Sequence, residues 1–210
     1  MTEPKRKVGR PPKPKGAPSG PRYMTADEVT AFLKAARRAG PKWGAMWELV
    51  FFYALRLGEV TALRLEDLDL AAHRITIRAE KSGTTRTYLL PEKLERQVRA
   101  WLKRREAKPG AAENPYLFPG RWEPRTGHIT NIGAWKQFKV IAVQARLATA
   151  HSPHDLRHTA ASFMLAEGDT VVTAKEWLRH KWLSSTDRYL HDVTRAKHER
   201  EMAERAGRFL

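Results

Sequence analysis

The chain contains no cysteine. Disulfides, cysteine-ligated zinc and thiol nucleophiles are therefore excluded. It also lacks a long apolar run: the longest, Trp43 to Leu57, is interrupted by Glu48 and is too short to span a bilayer. The first residues are basic and proline-rich, without the apolar stretch of a secretory signal. Acids are scarce, 23 Asp+Glu against 39 Lys+Arg, and no group of carboxylates is spaced to hold Mg²⁺. No internal repeat is apparent. What the chain does have is 210 residues, 41% of them hydrophobic, enough for one or two domains with a real core. The net charge of +16 points to a polyanion, with nucleic acid the leading candidate. These features predict a soluble protein acting in the cytoplasm, at the nucleoid in a bacterium.

The charge is unevenly distributed. Residues 1–22 hold seven Lys/Arg against the single acid Glu3, and six of the 13 prolines. They show no apolar periodicity, which predicts a disordered basic tail carrying +6 of the total. Lys5, Arg6, Lys7, Arg10, Lys13 and Lys15 are its candidate DNA contacts. Within the tail, Lys5-Arg6-Lys7-Val8-Gly9-Arg10-Pro11-Pro12-Lys13 resembles an AT-hook, in which a Gly-Arg-Pro core lies in a narrow A·T minor groove. Val8 stands where such hooks usually carry a second Arg, and a generic basic tail is the plainer alternative.

From Tyr23 the sequence takes on periodicity. Thr25-Ala-Asp-Glu28 is a capping box, followed by Val29, Phe32, Leu33 and Ala36 at helical spacing, and Gly40-Pro41 ends that helix. A strongly apolar helix is expected from Trp43 to Arg56. His73–Arg78 alternates apolar and polar residues and reads as a strand, Lys81–Thr84 as a turn, and Thr85–Leu90 as the returning strand. Pro91 opens a helix with Leu94, Val98, Trp101 and Leu102 on one face. A Pro- and Gly-rich loop covers 108–128, and Trp135, Phe138, Ala142 and Ala145 mark a further helix. The expected fold class is α+β, mainly α-helical, with one small antiparallel sheet at about residues 66–90.

Four segments could carry chemistry. Arg56, at the end of the apolar helix, is costly to bury unless Glu59 pairs with it, and a structural ion pair would explain the segment by itself. Lys81 sits on a turn, where most lysines are merely solvated. In Ser152-Pro153-His154-Asp155-Leu156-Arg157-His158, Ser152 is the expected N-cap, Pro153 the first helical residue and Asp155 the return partner of a capping box. His154 and Arg157 then share one face of the first turn, opposite Leu156, Ala160 and Phe163. A phosphate-holding site and a polar surface turn are both open. In Ser184–His191, Ser184 and Asp187 suggest a second cap, placing Tyr189 early in a short helix. A lone tyrosine is normally core or interface. Taken together the pieces suit one reaction: two arginines forking onto a phosphodiester, two histidines and a lysine moving protons, and a tyrosine attacking phosphorus.

The ordered set resembles the catalytic domain of the tyrosine recombinases, the phage-integrase family. Arg56, Gly58 and Glu59 match its first box and Lys81 its hairpin lysine. His154 and Arg157, within His-Asp-Leu-Arg-His-Thr, match its His-x-x-Arg box. His180 matches its second histidine, and Tyr189, nine residues later, its nucleophile. The resemblance covers about residues 24–192. It implies a catalytic domain over 23–192 and a C-terminal helical segment, 193–210, docking on a neighbouring protomer. It implies a site-specific recombinase acting on double-stranded DNA through a 3′-phosphotyrosine, with no metal, ATP or other cofactor. Homo-oligomers on DNA are expected, with DNA-bending proteins as candidate accessory partners. A type IB-like topoisomerase and a catalytically weak DNA-binding accessory protein are the alternatives; a metal nuclease would leave the tyrosine unexplained. Three departures stand out. Tyr53-Ala54 replaces the usual Thr-Gly, and Arg179 replaces the Gly usual before His180. Little beyond the basic tail precedes the catalytic domain, as in the short fimbrial phase-variation inversion recombinases, which lack the separate core-binding domain.

Overall fold

The capping box at Thr25 starts the first helix. The computed structural model describes residues 23–78, 84–120, 127–148, 150–166, 168, 170, 172–173 and 177–178. In it Thr25 Oγ1 accepts from the Glu28 amide at 3.2 Å, and Glu28 Oε2 accepts from the Thr25 amide at 2.8 Å. The two bonds satisfy two of the amide donors that every helix start leaves open. Helix α1 (Ala26–Arg38) turns Val29, Phe32, Ala35 and Ala36 inward. There follow α2 (Pro41–Phe52), α3 (Leu57–Thr61), strands β1 (Leu68–Asp69), β2 (Arg74–Ile77) and β3 (Arg86–Leu89), then α4 (Glu92–Glu106), α5 (Asn131–Gln144) and α6 (Pro153–Ala166). The fold is α+β and mainly helical, with one antiparallel sheet in the order β1-β2-β3.

Helix α2 is the hub. Every residue from Gly44 to Val50 is buried, as expected of a helix that is apolar around its circumference. It packs against α1, α3, α4 and α6. Phe32, Trp47 and Phe138 knit α1, α2 and α5, with ring centroids 4.5 Å apart for Phe32–Phe138 and 5.2 Å for Trp47–Phe138. Glu48, the one acid in this helix, is neutralised by Arg37 Nε at 2.5 Å.

The sheet sits at the edge of this core. Ile75 pairs with Tyr88 and Ile77 with Arg86, and both isoleucines are fully buried, as their alternation predicts. Arg78, where β2 ends, donates to Asp67 at 2.7 Å and Glu66 at 2.9 Å, which pins the root of the hairpin. After α4 the chain is held by the buried Arg105, which donates to the carbonyls of Ala111, Asn114 and Tyr116. Lys42 Nζ donates to the Pro119 carbonyl at 2.5 Å beside the Trp43 and Trp101 rings, and burial lowers its pKa to about 8.

Two local expectations are corrected. The apolar helix stops at Phe52 rather than reaching Arg56. The Leu55 amide bonds back to the Val50 carbonyl at 3.0 Å, which closes the helix and turns the chain away. On α5 the inward face is Ala134, Phe138, Ile141 and Ala142, whereas Trp135 is 44% exposed. Apolar residues also lie on its outer side, so the alanine and tryptophan at 134 and 135 exchange the roles their hydrophobicity predicts. Among the described residues no helix is long and apolar enough to cross a membrane. The expectations for tail residues 1–22 and for 193–210 lie outside the described residues.

Candidate active site

Arg56 opens a new helix instead of ending an old one. It is the N-cap of α3, and its amide donates to Glu59 Oε2 at 2.8 Å. The same carboxylate receives Arg56 Nη1 on Oε1 at 2.8 Å. The first turn of α3 thus folds the arginine and the acid onto each other. The Glu59 side chain is 0% exposed, while that of Arg56 is 33% exposed. The carboxylate is buried beneath and the guanidinium keeps an open side. Thr61 Oγ1 lies 2.9 Å from Asn131 Oδ1, which ties this short helix to the start of α5.

Arg157 reaches the same carboxylate from the other end of the sequence. The capping box at the start of α6 forms: the Ser152 amide donates to Asp155 Oδ2 at 2.8 Å, and the Asp155 amide to Ser152 Oγ at 3.3 Å. Within that turn Arg157 points inward, its side chain 1% exposed, with Nη1 3.7 Å from Glu59 Oε2. Nη1 also donates to the Ala54 carbonyl, and Nη2 donates to the Leu178 carbonyl at 2.7 Å. This corrects the expectation that Arg157 lies opposite the core-facing residues. Most of the circumference of α6 is buried, and the arginine is accommodated because a carboxylate and two carbonyls receive it.

His154 completes the cluster, one turn from His158, their rings 4.1 Å apart. Its pKa is held below the ordinary histidine value, first by partial desolvation and then by the positive charge of Arg157 and Arg56; Asp155 pulls the other way. The residue therefore stays neutral near pH 7, with one ring nitrogen a donor and the other an acceptor. Because the folded-state pKa is depressed, its contribution to stability is complete above the unfolded value of about 6.5 and is lost as pH falls below it. The His154 ring protons, followed by NMR, should titrate with a midpoint below that of a free histidine. An anion seated between the arginines should move the midpoint upward, because it offsets the charges that depress it.

An aromatic brace that sequence reasoning did not foresee packs beside these groups. Tyr53 stacks on Trp177 with centroids 6.0 Å apart, and Tyr88 of β3 meets Trp177 at 5.0 Å. Tyr53 Oη donates to the Leu89 carbonyl at 2.6 Å, and Trp177 Nε1 donates to the Phe52 carbonyl at 3.0 Å. Burial, and then the neighbouring Tyr88, push the Tyr53 phenol above its ordinary pKa, so it remains a donor. The hairpin, the turn before Arg56 and the segment that leads on toward His180 are thereby joined. Of the expected site residues, Arg56, Glu59, His154 and Arg157 come together. Lys81, His180 and Tyr189 lie outside the described residues.

The architecture is that of a tyrosine-recombinase catalytic domain. It superimposes on the crystal structure of XerA recombinase with a TM-score of 0.74 at 23% identity, covering 88% of this chain and 66% of that one. It also superimposes on XerH recombinase bound to a palindromic difH substrate, with a TM-score of 0.72 at 22% identity, covering 88% of this chain and 54% of that one. The sequence profile of the phage integrase family matches residues 22–195, and the chain belongs to that family. Among its relatives, tyrosine recombinase XerA of Pyrococcus furiosus is 29% identical over 186 residues, 89% of this chain and 62% of that protein. Tyrosine recombinase XerD of Brucella abortus is 29% identical over 192 residues, 85% of this chain and 61% of that protein. The chain thus spans about three-fifths of the length of the relatives it matches.

Proposed function

We propose that this chain is a site-specific DNA recombinase that cuts and rejoins duplex DNA through a 3′-phosphotyrosine. The observation that carries the reading is the convergence of two arginines, a hundred residues apart in sequence, on the buried Glu59 carboxylate beside a neutral His154. Such a cluster is preorganised for a tetrahedral oxyanion, because both cations are held before any substrate arrives. The family match runs from 22 to 195, a span that includes His180 and Tyr189 and so supports counting them in the site.

In this mechanism the Tyr189 phenol oxygen attacks the scissile phosphorus. The bond to the 5′ oxygen breaks, and that oxygen leaves as a hydroxyl after taking a proton from Lys81. Arg56 and Arg157 hold the non-bridging oxygens as charge builds on them. His154 and His180 orient the phosphate and assist proton transfer. Glu59 acts through the arginines it holds. A 5′-hydroxyl from a partner strand then attacks the phosphotyrosine and releases Tyr189. The phosphodiester energy is kept in the tyrosyl ester, so the cycle needs neither ATP nor metal.

The remaining divisions of the chain fit this reading. Residues 23–192 form the catalytic unit, and 193–210 dock on a neighbouring protomer in a homo-oligomer assembled on DNA, in the cytoplasm and at the nucleoid of a bacterial host. The tail, with +6 of the +16, holds flanking DNA. Removing residues 1–22 should flatten the dependence of log affinity on log salt, by about 0.9 for each phosphate the tail neutralises, without changing the cleavage rate on bound substrate. Titrations of DNA binding at several salt concentrations, paired with single-turnover cleavage, measure both.

The test of function is a nicked suicide duplex built on inverted repeats sought in the DNA that flanks the coding sequence. A protein–DNA adduct stable in denaturing gels, formed without added metal or nucleotide, is expected. Relaxation of random plasmid with no exchange between paired sites would point to a topoisomerase instead. Tight binding with no adduct would point to an accessory DNA-binding protein.

A further inference from the structure

The turn between α2 and α3 carries an unusual backbone. The Leu55 amide donates to the Val50 carbonyl at 3.0 Å and the Ala54 amide to the Phe51 carbonyl at 3.4 Å, the paired bonds of a Schellman helix end. Such ends place one residue in the left-handed region, most often glycine. Here it is Ala54, with φ +46°. A Cβ in that conformation is sterically disfavoured. The surroundings outweigh it: Ala54 is 0% exposed and packs with Ala160, Ala161, Leu165 and Leu178. Residues held so against their intrinsic preference gather at functional sites.

The left-handed conformation has a directional consequence. It rotates the peptide plane after Ala54 so that the carbonyl does not continue along the α2 axis. That carbonyl accepts from Arg157 Nη1. On the other branch of the guanidinium, the Leu178 carbonyl accepts from Nη2, and Leu178 belongs to the same buried apolar cluster as Ala54. Glu59 supplies charge to Arg157 from 3.7 Å, longer than the contact the guanidinium makes with either carbonyl.

We propose that Ala54 is a positioning residue for Arg157: its left-handed backbone aims one carbonyl at the guanidinium. The inference rests on the recombinase reading, in which Arg157 grips the scissile phosphate. A shift of the arginine by a fraction of its length would then slow cleavage without weakening the many contacts that bind DNA.

The experiment compares full-length wild type, Ala54→Val and Ala54→Gly on two suicide duplexes, one with an ordinary scissile phosphodiester and one with a neutral methylphosphonate there. Valine disfavours the left-handed region and crowds Ala160, so phosphodiester cleavage should slow by about 10- to 100-fold at unchanged DNA affinity. The methylphosphonate has lost the charge that Arg157 neutralises, so on it the valine defect should largely disappear. Glycine keeps the conformation, and its cleavage on both duplexes should stay within about threefold of wild type. Equal valine defects on both duplexes would overturn the proposal, since general distortion does not distinguish the two phosphates. So would a glycine variant as slow on the phosphodiester as Arg157→Ala, and this arm stands even where the valine variant does not fold. Failure of wild type to form a Tyr189-dependent adduct would instead remove the recombinase reading itself.

Discussion

Tyr189→Phe should abolish the covalent protein–DNA adduct while leaving DNA affinity and the unfolding midpoint unchanged. The substitution removes a single oxygen and keeps the ring. Without cysteine, no thiol can take over the attack. A phenol has a pKa near 10, so it attacks at neutral pH only where the developing charge on phosphorus is met by fixed cations and its own proton has an acceptor. In the proposed mechanism Arg56 and Arg157 supply the first, and a neutral, depressed-pKa His154 the second. Denaturing gels on the suicide duplex read the adduct, and fluorescence anisotropy on the same duplex reads binding. An adduct that persists in the phenylalanine variant would assign the attack to another residue.

Arg157→Ala should damage both stability and chemistry. Its side chain is 1% exposed and reaches the Ala54 carbonyl, the Leu178 carbonyl and the Glu59 carboxylate. Removing the guanidinium takes one counter-charge from a fully buried carboxylate, takes a donor from each of the two carbonyls and opens a cavity at the start of α6. Breaking a buried ion pair by deleting one partner costs about 3–5 kcal/mol. Losing one preorganised donor to the developing oxyanion should slow cleavage by about 10²–10³. Urea unfolding measures the first and single-turnover cleavage below the unfolding midpoint measures the second. Arg157→Lys separates the two effects: it keeps a positive charge near Glu59 but cannot donate along both branches to Ala54 and Leu178. Most of the stability should return in the lysine variant, and little of the rate.

Much of the site was legible in the sequence because its elements announce themselves locally. Thr25 and Glu28, and Ser152 and Asp155, each form the caps their spacing demands. The alternation at Ile75 and Ile77 puts both in the core, and the ordered boxes pointed to the family that the profile match establishes. Local pattern failed where a tertiary partner outweighed it. Nothing in the apolar run from Trp43 marks Phe52 as its end, because the stop is made by an alanine in a conformation expected of glycine. Arg157 looks like a surface residue in its own turn, because the groups that receive it belong to Ala54, Glu59 and Leu178.

By itself the sequence determined the charge of +16, the absence of thiol chemistry, the α+β class and the order of the family's motif boxes along the chain. These follow from composition, short-range periodicity and the spacing of motifs. Only the tertiary structure decided that Glu59 is buried between two arginines, that Arg157 turns inward while Arg56 keeps an open side, and that backbone carbonyls aim the deeper guanidinium. Burying a charge is tolerable only when its partners arrive together, and those partners come from segments that meet only when the core closes around α2.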